Sequence, residues 1–195
     1  YNKRKMTYYK NIIIKLLNLV LCYCLFTSCS KNDMDDTPLC FVGDSHIANW
    51  DVEYSFPNRI TKNYGVDGRS IRDLIDFQIE EHNAIVIVEI GTNDMSCVPT
   101  TEYYETYEKV IKNIDGQKIL LLEVLPTNDK KKNAYIKTFN KEISVRMQKY
   151  PKVKVVKCYE ALQEEGMIRV DLTREGIHLN DYGYKILTDI TRKKL

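Results

Sequence analysis

Four short stretches of this chain gather residue types from which nucleophilic catalysis can be built. They are Gly43-Asp44-Ser45-His46, Asn63-Tyr64-Gly65-Val66-Asp67-Gly68, Gly91-Thr92-Asn93-Asp94 and Glu175-Gly176-Ile177-His178-Leu179-Asn180. A serine hydroxyl is a weak nucleophile until an imidazole takes its proton. The carbonyl under attack develops negative charge, which preorganised N–H donors stabilise; losing one such donor costs about 2.7–4 kcal/mol of barrier. Serine, histidine, carboxylate, glycine N–H and asparagine amide are the parts such a site needs. Singly, each stretch has an ordinary explanation. Gly-Asp-Ser is a common turn, Asn and Asp form loops, and glycines permit positive φ. A lone loop histidine usually packs or faces water. Their recurrence along one alternating chain is a stronger signal than any of them alone.

The elements that must position these stretches alternate in kind. Leu39–Val42 is a short apolar run ending at Gly43, and residues 59–64 form a weaker strand candidate before Gly65. Residues 70–81 carry Ile71, Leu74, Ile75 and Ile79 at the spacing of an amphipathic helix. Residues 84–90 read as the clearest strand, nearly apolar on both faces, as a central parallel strand should be. Residues 101–114 predict a helix, 118–125 a buried strand, and 134–150 a helix stopped by Pro151. Residues 153–158 are a last strand and 181–193 a closing helix. Strands alternating with helices predict a three-layer α/β/α sandwich around a parallel sheet, within a single domain over residues 38–195. Ligands of such sheets bind beyond the carboxyl ends of the strands. The first three stretches follow strands there.

From Phe41 to Tyr184 the chain resembles the SGNH (GDSL-type) hydrolases, on Gly43-Asp44-Ser45, the Gly65-x-x-Gly68 pair, Gly91-x-Asn93-Asp94 and His178. The resemblance implies the flavodoxin-like SGNH fold and a carboxylic ester hydrolase that needs no cofactor and no metal. It implies Ser45 as nucleophile and His178 as general base. It implies an oxyanion hole made of the Ser45 backbone N–H, Gly68 and Asn93, with Asp44 and Asp94 in support. Gly65 competes with Gly68, which better matches the second glycine of the family's Gly-x-x-Gly. Where the family has Asp three residues before the histidine, this chain has Glu175, whose extra methylene shifts the carboxylate. Three arrangements stay open: a Ser-His-Glu triad, a short turn that brings Asp171 near instead, or a Ser-His dyad. His46, beside the nucleophile, is placed at the acyl pocket with no chemistry assigned. His82, ending the 70–81 helix, reads as a favourable C-terminal charge.

Ahead of this domain, Met6 reads as the start of translation. A short basic lead precedes Ile12–Phe26, an apolar run broken by Lys15 and Asn18. A comfortable membrane span needs about 20 apolar residues, so a signal peptide over residues 1–28 fits better. Thr27-Ser28 before Cys29 resembles a lipobox, with Phe26 where Leu is usual, which implies that Cys29 is lipidated. A plain signal peptide or an N-terminal anchor is the alternative. Residues 29–37 are polar and acidic and read as a flexible tether. The location expected is the cell envelope, at the outer membrane, with membrane contact through the lipid alone.

Composition removes other classes. The 195 residues carry a net charge of +2 with no basic stripe, so nucleic acid is not an expected partner. Cys40, Cys97 and Cys158 are odd in number and lack C-x-x-C spacing, which indicates neither a disulfide framework nor a zinc site. Cys40 and Cys158 read as small core residues, and one disulfide among the three stays open. Fourteen tyrosines are expected to pack in the core or lie half-exposed. Three functions follow. The first is an O-acetylesterase acting on extracellular carbohydrate. The second is a lipase, lysophospholipase or thioesterase, and the third a catalytically weak glycan-binding surface protein. The partner in each case is a small-molecule or glycan ester.

Overall fold

The apolar runs along the chain become strands that pair side by side. A computed structural model describes residues 36–195. The expectations for Met6, the signal peptide, Cys29 and most of the tether lie outside the described residues. Strands β1 (Leu39–Gly43), β2 (Thr61–Gly65), β3 (Ile85–Glu89), β4 (Lys118–Leu122) and β5 (Val153–Val156) form one parallel sheet ordered β2-β1-β3-β4-β5. Every residue of β1 and β3 is buried, while the edge strands β2 and β5 are partly exposed. The chain leaves β1 to one side to build β2, then crosses back to lay β3 on the other. That reversal between β1 and β3 is where a crevice opens at the strands' carboxyl ends.

Among the described residues six α-helices follow in chain order: α1 (Ser45–Ala48), α2 (Val52–Ser55), α3 (Thr101–Asn113), α4 (Lys130–Arg146), α5 (Tyr159–Leu162) and α6 (Asp181–Arg192). Alternate strand residues face opposite layers. Cys40, Val42, Val86, Val88, Ile119 and Leu121 pack with Tyr104, Tyr107 and Ile111 of α3 and Ile136, Phe139 and Ile143 of α4. Leu39, Phe41, Ile85, Ile87, Leu120 and Leu122 pack with Ile47, Trp50, Phe56 and with Tyr184 and Leu187 of α6. This is the three-layer α/β/α sandwich expected.

Several boundaries differ from expectation. Residues 70–81 do not form a helix. A 3₁₀ turn, Ile71–Leu74, opens on a Ser70/Asp73 capping box and then stops. Ile71, Leu74 and Ile79 are buried but Ile75 is 46 % exposed, so the apolar stripe is interrupted. His82 therefore ends no helix and lies in an exposed turn. Helix α4 starts at Lys130 rather than 134 because the Asp129 carboxylate accepts the N–H groups of Lys131 and Lys132. Strand β5 stops at Val156, where the chain turns so that the Glu123 carboxylate accepts from Cys158 N and Tyr159 N, each at 3.0 Å. The same carboxylate follows β4, which ends at Leu122 rather than 125. β2 begins at Thr61, two residues late. Helix α5 and a small hairpin, β6 (Gln163–Glu164) with β7 (Met167–Ile168), were not expected. Cys40, Cys97 and Cys158 are free thiols, the first and last buried. No helix among the described residues is long and apolar enough to cross a membrane.

Candidate active site

Pairing register brings three of the four stretches together. Gly43 lies level with Gly65 of β2 and with Glu89 of β3, so the loops after the three strands leave the sheet from one row. Gly43 has no room for a side chain, because a Cβ there would stand 1.8 Å from the Glu89 carbonyl oxygen. Asp44 then caps the four-residue helix α1 by accepting from His46 N at 3.0 Å. This turn lifts Ser45 off the end of β1 as the first residue of α1, 9 % exposed.

The fourth stretch arrives from the far end of the chain. A bridge between Thr173 and Leu179 closes a narrow loop, with Arg174 N donating to His178 O at 2.9 Å. At its base, next to Leu179, His178 Nε2 meets Ser45 Oγ at 3.0 Å. Its Nδ1 lies in a short contact with Glu175 Oε1, which also accepts from His178 N at 3.1 Å. An ionised carboxylate only accepts, so Nδ1 carries the proton and the Nε2 lone pair faces the serine hydroxyl. The His178 main-chain N–H, partly opposed by desolvation and helped by the ring, holds the Glu175 carboxyl below its ordinary range. Asp171 is occupied elsewhere: its carboxylate accepts from Arg169 Nη2 at 2.7 Å and Nε at 3.1 Å. Of the two acids weighed from the sequence, Glu175 is the one that reaches His178.

The loops after β2 and β3 are tied to each other. Asn93 Nδ2 donates to Arg69 O at 3.0 Å, and Asp94 Oδ2 accepts from Ile71 N at 3.1 Å and Tyr103 Oη at 3.0 Å. Desolvation raises the Asp94 carboxyl above its ordinary value. Gly68 stands next to Arg69 with φ +73°, a backbone that favours glycine, and with open space where a side chain would go. Gly65 is different: its backbone presses on α1, and a Cβ would come 2.2 Å from Ala48 N. Packing therefore accounts for Gly65, while Gly68 precedes the residue that Asn93 holds and has nothing against it.

His46 does not line a pocket. Its ring is fully buried, with Nδ1 3.3 Å from Asp44 Oδ1 and 3.3 Å from Glu89 Oε2, and Nε2 3.0 Å from Ile177 O. Burial pushes the Glu89 carboxyl up to about 7, with the Asp44 charge adding to it and His46 opposing. Burial would lower His46, but the charges and hydrogen bonds of Glu89 and Asp44 outweigh it and raise the imidazole. Burial would raise Asp44, but the hydrogen bonds and charge of His46 outweigh it and lower the carboxyl. Among the described residues this trio alone offers three donor atoms close enough together for a cation. Sequence reasoning passed over Glu89 and set His46 at an acyl pocket that its buried ring does not reach. The available signal was a glutamate inside the otherwise apolar run 84–90.

Comparison with known proteins agrees with this architecture. The profile of the GDSL-like lipase/acylhydrolase family matches residues 41–186. No curated protein matches the sequence. A protein from Streptococcus pneumonia, provisionally described as a platelet activating factor, superposes with a TM-score of 0.71 at 20% identity, over 94% of this chain and 98% of that one. A lipolytic protein of the G-D-S-L family from Veillonella parvula gives 0.66 at 18%, over 80% and 97%. An acetyl xylan esterase from Geobacillus stearothermophilus gives 0.64 at 16%, over 81% and 94%. At such identities these likenesses establish the fold.

Proposed function

Because the chain belongs to the GDSL-like lipase/acylhydrolase family, and is thus a carboxylic ester hydrolase, we propose that it works through Ser45, His178 and Glu175. The observation that carries this reading is the 3.0 Å contact between Ser45 Oγ and His178 Nε2, with Glu175 on the far nitrogen. In the proposed reaction His178 Nε2 takes the Ser45 proton as Oγ attacks the ester carbonyl. The carbonyl oxygen gains a negative charge, received by the N–H groups of Ser45 and Gly68 and by the Asn93 amide. One Asn93 N–H is spent on Arg69, which leaves its second for the substrate. The C–O bond to the alcohol then breaks, and His178 returns the proton to that leaving oxygen. Water, deprotonated by His178, attacks the acyl carbon; the bond to Ser45 Oγ breaks, Oγ recovers the proton from His178, and the acid leaves.

For the substrate we propose a short acyl ester on carbohydrate. A cavity of about 750 Å³ runs from Asn49 and Arg174 along α2 and α6. Ser45 and His178 do not line it; its links to the site are Asn49, which donates to Ser45 O at 2.8 Å, and Arg174, which precedes Glu175. Its rim carries Tyr54 and Tyr182, 83 % and 73 % exposed, with Asp51 and Asp181 at the starts of α2 and α6. These are the only exposed aromatics among the large exposed apolar side chains of the described residues. Flat rings beside charged acceptors suit a sugar, which offers C–H faces and hydroxyls, better than an alkyl chain. The fold shared with an acetyl xylan esterase supports the same reading. Export and a lipid on Cys29 complete the proposal on sequence grounds.

The test is hydrolysis of p-nitrophenyl acetate, butyrate and octanoate by the wild type and by Ser45→Ala. Acetate should be the fastest, with kcat about 10⁴-fold lower or worse in the variant. Equal rates for the two proteins overturn the serine mechanism. Preference for octanoate moves the substrate to lipids.

A further inference from the structure

The loop that carries His178 is half-exposed, yet its ring must hold a hydrogen-bonding distance to a serine from the other end of the domain. Two hydrogen bonds reach this loop from distant chain. Asn128 N donates to Gly176 O at 2.7 Å, and His46 Nε2 meets Ile177 O at 3.0 Å. The second bond comes from the residue next to the nucleophile and ends on the residue next to the base. A carbonyl oxygen only accepts, so Nε2 of His46 carries a proton. Its Nδ1 then faces Asp44 Oδ1 and Glu89 Oε2, each 3.3 Å away, in a space where all three side chains are buried. A bare lone pair there would point at two carboxylates, so a proton belongs on Nδ1 or on the facing carboxyl. Neither nitrogen is open to substrate, and the ring cannot act on it. The main chain of His46 is fixed as well: its N–H donates to Asp44 and its carbonyl accepts from Tyr184 Oη of α6 at 2.9 Å.

We propose that His46 is a positioning residue, which clamps the His178 loop to the nucleophile's own turn through Ile177 while Asp44 and Glu89 hold its ring in place. The proposal adds a part to the serine mechanism and rests on that reading. It differs from it in what should fail. Losing the clamp lets His178 drift from Ser45, and a displacement of about 1 Å in such a pair can cost on the order of 10²-fold in rate. Binding of substrate is touched far less.

Two variants separate clamping from mere filling of space. The amide of Gln reaches about as far as Nε2 and can still donate to Ile177 O. The amide of Asn reaches only the Nδ1 position. With p-nitrophenyl acetate, His46→Asn should lower kcat about 10²-fold with KM nearly constant, and His46→Gln should recover at least a tenth of wild-type kcat. Equal losses in the two variants overturn the proposal. So does a loss that tracks the unfolded fraction read by circular dichroism at the assay temperature. The wild type supplies a test that needs no variant. In ¹⁵N-labelled protein, a slowly exchanging imidazole N–H with scalar coupling to the Ile177 carbonyl carbon is expected. Absence of that coupling, or one equivalent of tightly held metal that abolishes activity on chelation, assigns the trio another role. If wild type and Ser45→Ala hydrolyse acetate alike, the serine reading itself has failed, whatever the coupling shows.

Discussion

The domain contains two histidines set against carboxylates, with ring centroids 5.9 Å apart, and they live in different media. At His178 and Glu175 the side chains are 35 % and 51 % exposed, so protons and water pass freely. At His46, Asp44 and Glu89 the exposures are 1 % or less, so the ring and its acids meet only each other and a carbonyl. The same two functional groups thus do opposite work. In contact with water the pair can gain and lose a proton in each cycle. Out of contact, changing charge would leave an unpaired ion in low dielectric, and the group serves best by keeping its proton and its place. On the proposed mechanism, solvent, more than residue type, divides turnover from support.

That division can be broken at either end. The largest effect is expected at the wet end. His178→Asn should lower kcat by about 10⁴-fold or more, with the thermal midpoint little changed, because the side chain buries little. A large loss of stability there would contradict the contrast. Glu175→Gln comes next. An amide N–H turned toward Nδ1 favours the wrong tautomer, but water can partly replace the carboxylate at this exposed position. The loss in kcat should therefore be clear yet below the about 10⁴-fold known for a buried orienting acid. A loss of that full size would mean the carboxylate is dry during turnover.

The smallest effect on rate, and the clearest on stability, is expected at the dry end. Glu89 ionises near pH 7 when folded, against an ordinary 4.5, and His46 is also raised. Both bind protons more tightly in the folded state: the contribution of Glu89 is complete below about pH 4.5 and lost as pH rises through about 7, while that of His46 is complete below about pH 6.5 and lost above it. Asp44 and Glu175 are lowered and act in the opposite sense, but only at or below their ordinary 3.8 and 4.5. The thermal midpoint of the wild type should accordingly fall between pH 5 and about 8. Glu89→Gln should flatten that slope and cost about 1–3 kcal/mol. A slope unchanged by the substitution would place the titration elsewhere.

Much of this was legible in the sequence, for reasons that differ by residue. The apolar runs of β1, β3 and β4 announce themselves because a central parallel strand is buried on both faces. Ser45, Asn93 and His178 stand out by following strands or closing the chain in familiar spacings. Ile71 to Ile79 misled because helical periodicity counts apolar residues without knowing which stay covered, and Ile75 does not. The choice between Glu175 and Asp171 depended on an Arg169 side chain and on the Thr173–Leu179 bridge, neither of which spacing reveals. His46 was beyond reach for another reason. Its partners lie at positions 44, 89 and 177, and only the register of β1 on β3 brings the first two together.

The separation of 133 positions from Ser45 to His178 also sets a clock. At about 5–20 residues per second, a ribosome needs roughly 7–27 s to pass from the serine codon to the histidine codon. During that interval β1 and its turn exist without a base, and Ser45 is an ordinary alcohol. The last helix must then dock, since Tyr184 holds His46 and Asn180 leads the chain into it. On the proposed mechanism, unfinished chains are hydrolytically silent, and activity waits for the last loop and helix.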